Sequence, residues 1–254
     1  MARRILSRVV DAWSLKMGVG KHPSVTQLEL PGIGRETETI DSVSDLTADD
    51  VERLKKKRPK ALGIVCRRSD CERNLHCFDT GDTGDTKYAR GSCRSCGTNL
   101  IDWPAVRVRG LANVEMKFNF FDKEWIRHFF FHVPITPRIE TYARKHGFDG
   151  LAQVTESQLE QPKMLRFMPA LDYNQTAMLD GTIVHWGRHA TACCCRACMR
   201  YWHDVPLDHE LIREDIEYFK QLVIRYVQFR VPDLEEYPKE PATRSILNRV
   251  ARAN

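Results

Sequence analysis

No run of about 18 apolar residues occurs in this chain, so a membrane-spanning helix is not expected. The opening MARRILSRVVDAW is basic but has neither an apolar signal core nor a small-residue cleavage site. A cytoplasmic protein with no membrane partner is therefore expected. Its basic, amphipathic character reads as a surface helix in preference to a transit peptide. No internal repeat is visible either.

What the chain does have is cysteine. Nine occur, and without a secretory signal they argue against a disulfide framework, because the cytosol keeps thiols reduced. Five lie between Cys66 and Cys96, and four between Cys193 and Cys198. Clustering of this kind is what metal ligation needs.

Charge is distributed as unevenly as cysteine. The net charge is +5, yet residues 1–21 carry five Lys/Arg against one acid. Residues 53–68, RLKKKRPKALGIVCRR, carry eight and no acid, so the remainder is acidic. A concentrated basic stretch beside cysteines suits a phosphate backbone, which makes Lys55, Lys56, Lys57, Arg58, Lys60, Arg67 and Arg68 the candidate nucleic-acid contacts. The plainer alternative is a solvated linker.

Along the chain, Ile5, Leu6, Val9, Val10 and Trp13 predict a short amphipathic helix within residues 2–17, followed by a connector to residue 45. Thr47 is the expected N-cap of TADDVERLKKK, which Pro59 should end. Residues 61–103 read as a small β unit, with strands at ALGIVC and NLHCF and a GDTGDT loop. EMKFNFFDKEWIRHFFFH has aromatics at helical intervals and no breaker before Pro134. TPRIETYARKHG is a helix closed by Gly147. The longest helix lies in LDHELIREDIEYFKQLVIRYVQFRV, with Leu211, Ile212, Ile216, Phe219, Leu222, Val223 and Tyr226 on one side, and Pro232 stops it. A charged tail follows.

In the first cysteine group, Cys66-x4-Cys71 precedes Cys93-x2-Cys96-Gly97. A CxxCG knuckle lets two thiolates grip one zinc ion while glycine permits the tight turn. With a second pair from a neighbouring hairpin it resembles a zinc ribbon, so Cys66, Cys71, Cys93 and Cys96 are the expected ligands. His76 and Cys77 are the alternates. So small a β unit has almost no core and needs the metal to fold.

The second group sits in HWGRHATACCCRACMRYWH, residues 185–203. Cys195-x2-Cys198-x4-His203 has the first three ligands of a zinc-knuckle spacing, with Asp208 at the fourth position. His189 can close the shell instead, giving His189, Cys195, Cys198 and His203. Cys194 can replace Cys195, and Cys193 reads as a buried bystander. A deaminase site would need His-x-Glu with Pro-Cys-x-x-Cys, and neither occurs here. A His-Asn-His nuclease is excluded too, since no asparagine lies between His185 and His209.

Glu124, His128 and His132 recur four residues apart and would share one stripe of a helix. They can be packed core residues, or they can build an open metal site with His185 or His189.

From about Phe131 to Tyr226 the chain resembles a bacterial family known as domain of unknown function 4186. The residues that carry the likeness are FHVPITPR (131–138), QTAM (175–178) and, above all, HATACCCRACMRYWHDVP (189–206). The resemblance implies equivalence for His132, His189, Cys194, Cys195, Cys198, Trp202 and His203. Cys193 and Asp208 depart from it, which favours Cys193 as bystander and His189 as ligand. It implies no activity, and the ribbon-like segment lies outside it.

The expected protein is thus α+β, with a small zinc-ribbon β unit before a mainly helical domain holding a second Cys/His site. Residues 1–58 form the N-terminal helix, connector and basic helix, and 59–110 the ribbon. Residues 111–231 form the helical domain, and 232–254 the tail. Two Zn2+ ions per chain are expected, with nucleic acid as partner. The alternatives are a metalloenzyme joining His128, His132 and His189, or a subunit presenting its aromatic helix to other proteins.

Overall fold

The computed structural model describes residues 40, 42–55, 57, 64–78, 87–166 and 179–234. The helix expected within 2–17, nearly all of the connector, the GDTGDT loop, QTAM and the charged tail lie outside the described residues. So do Lys56, Arg58 and Lys60.

Thr47 caps helix α1 (Ala48–Leu54) as its sequence predicts. Its hydroxyl accepts from the Asp50 amide and the Asp50 carboxylate accepts from the Thr47 amide, a reciprocal capping box. Val51 and Leu54 are its buried side.

The segment expected to be a β ribbon contains only isolated bridges among the described residues, Asp70 with Leu75 and His76 with Glu124. In place of the NLHCF strand, Asn74 is left-handed (φ 58°), and the His76 amide and carbonyl bond to Lys123 O and Trp125 N. Those groups are spent on a loop of the helical region, so no hairpin partner can use them. The described fold is mainly helical, as expected of the larger domain, and the expected ribbon strands are not found among the described residues.

After α2 (Trp103–Arg107), the aromatic stretch expected to be one helix forms two, α3 (Val114–Phe121) and α4 (Trp125–His132). The break falls at Glu124, whose backbone is extended (φ −95°, ψ 128°). Its carboxylate accepts from the Phe78 amide and from Trp202 Nε1, so burial of this acid sets the break. The aromatics of α4 are spent in the chain's own core: Trp125, Phe129, Phe130 and Phe131 are all buried.

Helix α5 runs from Pro137 to Leu159 and is kinked at Gly147 (φ 60°, ψ 179°), so the first helical stretch does close there before another resumes. Short α6 (Pro162–Leu165), α7 (Ile183–Ala190), α8 (Arg196–His203) and α9 (Arg213–Arg230) complete the described elements. Helix α9 packs on α5 and α7, α4 packs on α7, and α8 on α2. At Gly187 a Cβ would sit 2.9 Å from the Tyr226 ring and 3.0 Å from Val223, so glycine sets the close approach of α7 to α9. Ile216, Phe219, Leu222, Val223 and Tyr226 are buried as their spacing predicts. Ile212 is not; it caps α9 and is exposed.

The cysteine-rich segment shares this core. Phe78 and Phe121 meet the Trp202 ring edge to face, and Trp103 lies 5.1 Å from it. Each such aromatic contributes about 1.5–3 kcal/mol by burial. No described helix is long and apolar enough to cross a membrane.

Candidate metal centres

The first cluster draws Cys71, His76, Cys93 and Cys96 together, with all four ligand atoms within 4.8 Å of one another. A one-turn 3-10 helix at Cys71–Arg73, capped by Asp70, presents Cys71. The knuckle presents the other two thiols: Gly97 N donates to Cys93 O, and the Ser95 amide points at Cys93 Sγ from 3.4 Å. Gly97 has φ 79°, and a Cβ there would lie 2.6 Å from the Tyr88 ring. Only glycine fits this turn.

Cys71 Sγ lies 3.8 Å from Cys93 Sγ, and Cys96 Sγ lies 3.4 Å from His76 Nδ1. Zinc bonds of about 2.3 Å to sulfur and 2.0–2.1 Å to nitrogen give tetrahedral edges of about 3.8 and 3.5 Å. His76 is oriented as a ligand should be, because Nε2 meets Asn74 Oδ1 at 3.0 Å. That contact places the proton on Nε2 and leaves the Nδ1 lone pair facing the thiols. Burial, then the charge of Lys123, lowers the His76 pKa and favours the neutral ring. Without metal, burial and the neighbouring thiols push Cys71 up to about 12. Burial acts the same way on Cys96, but its bonds to Thr98 outweigh it and bring the thiol down to about 7.

The second cluster joins Cys194, Cys195 and Cys198. Ala192 takes a left-handed conformation (φ 57°), and Cys195 then caps α8, so the three thiols converge at that helix's start. Cys194 and Cys198 are 3.6 Å apart through sulfur. Arg127 closes one side: Nη2 lies 3.0 Å from Cys198 Sγ, Nη1 donates to His189 O, and Nε pairs with Glu124 at 3.1 Å. Arg188 donates to Cys194 O. Cys193 stands apart, its sulfur 3.3 Å from the Thr191 hydroxyl, and burial pushes it up to about 12.

The expected ligand sets are thereby rearranged. His76, an alternate by sequence, groups with Cys71, Cys93 and Cys96. Cys66 joins none of the clusters; burial raises its pKa, followed by the charges of nearby Cys198 and Cys194. His203 is not grouped with the thiols. Its Nε2 meets Thr191 O at 2.9 Å and its Nδ1 faces the Tyr218 hydroxyl at 3.4 Å. His189 is also outside the group, stacked on Phe130 at 5.2 Å, and its Nδ1 has no hydrogen-bond partner among the described residues.

The His128 and His132 pair gathers neither Glu124 nor His189. Asp122 joins it instead, giving a third cluster. No cue in the helical periodicity pointed to Asp122, because a stripe four residues apart leads to Glu124. Of the basic candidates, Lys55 pairs with Glu52, and Arg68 stacks on Trp125 at 4.2 Å. Lys57 and Arg67 are exposed.

No solved structure matches this chain. The second and third clusters and nearly all of α3 to α9 fall within one recognisable stretch, whereas Cys66, Cys71, His76, Cys93 and Cys96 precede it. That stretch, residues 115–228, matches the family described as Domain of unknown function (DUF4186).

Proposed function

We propose that this protein is a zinc-binding module in which two thiolate-rich centres fasten the cysteine-rich segment to the helical domain. The first is Cys71, His76, Cys93 and Cys96, and the second is Cys194, Cys195 and Cys198 with Cys66 as fourth ligand. The observation that carries this reading is the agreement of the Cys71–Cys93 and Cys96–His76 separations with the edges of a zinc tetrahedron. The first centre has four protein ligands, and Cys66 would complete the second; a full complement suits a structural role. The second would couple residue 66 to residues 194–198, so its metal would tie the segment preceding the family region to that region.

Cobalt substitution tests this. Two equivalents should bind with strong sulfur-to-metal charge transfer, and the Cys66→Ser variant should lose intensity from one centre only. A single equivalent, or no effect of Cys66→Ser, would overturn the assignment.

The partner we propose is nucleic acid, supported by the eight positive charges of residues 53–68 and the exposure of Lys57 and Arg67. Phosphate contacts release counterions, so affinity should fall steeply with salt. Gel retardation of DNA and RNA at low salt, with Lys55, Lys56 and Lys57 all changed to Glu, tests it. Equal retardation by both proteins, or none by the wild type, refutes it.

A further inference from the structure

We propose that Asp122, His128 and His132 form a further metal site, independent of the thiolate centres, that takes one divalent first-row transition ion and leaves coordination positions to solvent. The juxtaposition is built by the break between α3 and α4. Asp122 is the residue that ends α3, and the short turn through Lys123 and Glu124 carries its carboxylate over the outer face of α4. On that face His128 and His132, one turn apart, lie 4.2 Å apart between ring centroids, their rings tilted by 37°.

The geometry converges on one point. Asp122 Oδ1 lies 3.1 Å from His128 Nδ1 and 2.8 Å from His132 Nε2. One ring offers its near nitrogen and the other its far nitrogen, which is how two histidines of unequal height on a helix reach the same place. Bonds of about 2.0–2.2 Å to nitrogen and oxygen place adjacent ligands about 3–3.5 Å apart. Small rotations of the two rings would therefore admit the ion.

The support is rigid where it needs to be. The opposite side of α4 is held by buried Trp125, Ile126, Phe129 and Phe130, and Tyr226 and Arg230 donate to Phe130 O near its end. Helix α4 is thus fixed in rotation with its two histidines outward.

Chemistry separates this cluster from the other two. One carboxylate and two imidazoles suit borderline ions such as Zn2+, Co2+, Ni2+ or Fe2+ rather than soft Cu+. The side chains of His128 and His132 are 27% and 31% exposed, whereas Cys194 and Cys195 are buried. Three protein ligands, two of them partly exposed, leave room for water, the arrangement that allows a metal to act on a substrate.

The test uses the full chain with its thiolate centres already loaded. Equilibrium dialysis against micromolar Zn2+ should show one equivalent beyond those held by cysteine. Asp122→Asn and His132→Ala should each lose that equivalent and no other. Sulfur charge transfer of the Co2+ form should be unchanged in both, so failure of the thiolate assignment is read separately. On the wild-type chain, Cu2+ added after the thiolate centres are filled should give an electron paramagnetic resonance signal with hyperfine coupling to two nitrogens. An unchanged metal count in both variants, or a copper signal without nitrogen coupling, would reduce the cluster to a carboxylate shared by two histidines.

Discussion

Arg127 and Cys198 meet at 3.0 Å, guanidinium nitrogen to sulfur, in a place where Arg127 is only 2% exposed. Burial disfavours the charge, yet Cys198, Glu124 and Cys194 hold Arg127 protonated, well above its ordinary pKa. A fully charged side chain is kept in a core because cysteine sulfurs and a carboxylate surround it. The same guanidinium reaches Glu124, which in turn accepts from Phe78 and Trp202. One buried pair therefore joins the second cysteine cluster to the segment that carries the first.

Removing Arg127 should accordingly be severe. Arg127→Met leaves Glu124 buried without a counter-charge, and about 3–5 kcal/mol of stability should be lost. Adding Glu124→Gln should recover part of that loss, since the amide keeps an acceptor without the charge. Urea unfolding of the single and double variants measures it, and strict additivity would show that the two side chains are not coupled.

Gly97→Ala should weaken the first centre alone. A side chain at φ 79° costs about 1–2 kcal/mol, and its Cβ would also meet the Tyr88 ring. Competition with a chromophoric chelator should show one zinc ion released more readily and the other held as in the wild type. Adding Tyr88→Ala should relieve the clash but not the backbone strain, so recovery should be partial. Full recovery would mean that the turn tolerates alanine.

The buried histidines predict acid sensitivity. Lys117 donates to the Tyr218 hydroxyl, which lies against His203 Nδ1, while His203 Nε2 points at Thr191 O. This chain of donors fixes a neutral ring, and burial brings His203 down to about 3. A base whose folded pKa is depressed contributes stability that is whole above its unfolded value of about 6.5, and loses it as pH falls from there toward 3. The slope is about 1.4 kcal/mol per pH unit for each such histidine, and His189, also near 3, adds a second. Denaturant midpoints between pH 7.5 and 5.5 in saturating zinc should fall more steeply in the wild type than in His203→Gln, which keeps a donor for Thr191. Equal slopes would refute the donor chain.

Local features were legible in the sequence wherever one turn of chain settles the outcome. Thr47 with Asp50 three residues on makes a capping box from its own side chains, and Cys93-x2-Cys96-Gly97 makes a knuckle from its own turn. Gly147 interrupts a helix because it alone there takes a positive φ cheaply. The apolar spacing from Ile216 to Tyr226 likewise marks the buried side of α9. Tertiary structure decided what depends on partners distant in the chain. His76 lies with Cys71, Cys93 and Cys96 because the loop before α4 takes its backbone bonds, and no short-range pattern encodes that pairing. His203 has the spacing of a ligand, but the Tyr218 hydroxyl and the Thr191 carbonyl occupy both of its ring nitrogens. Helical periodicity likewise pointed to Glu124 as the partner of His128 and His132. Burial of Glu124 among Phe78, Arg127 and Trp202 ends the helix there and turns Asp122 toward the histidines, because an ionised side chain in a core goes where its partners are.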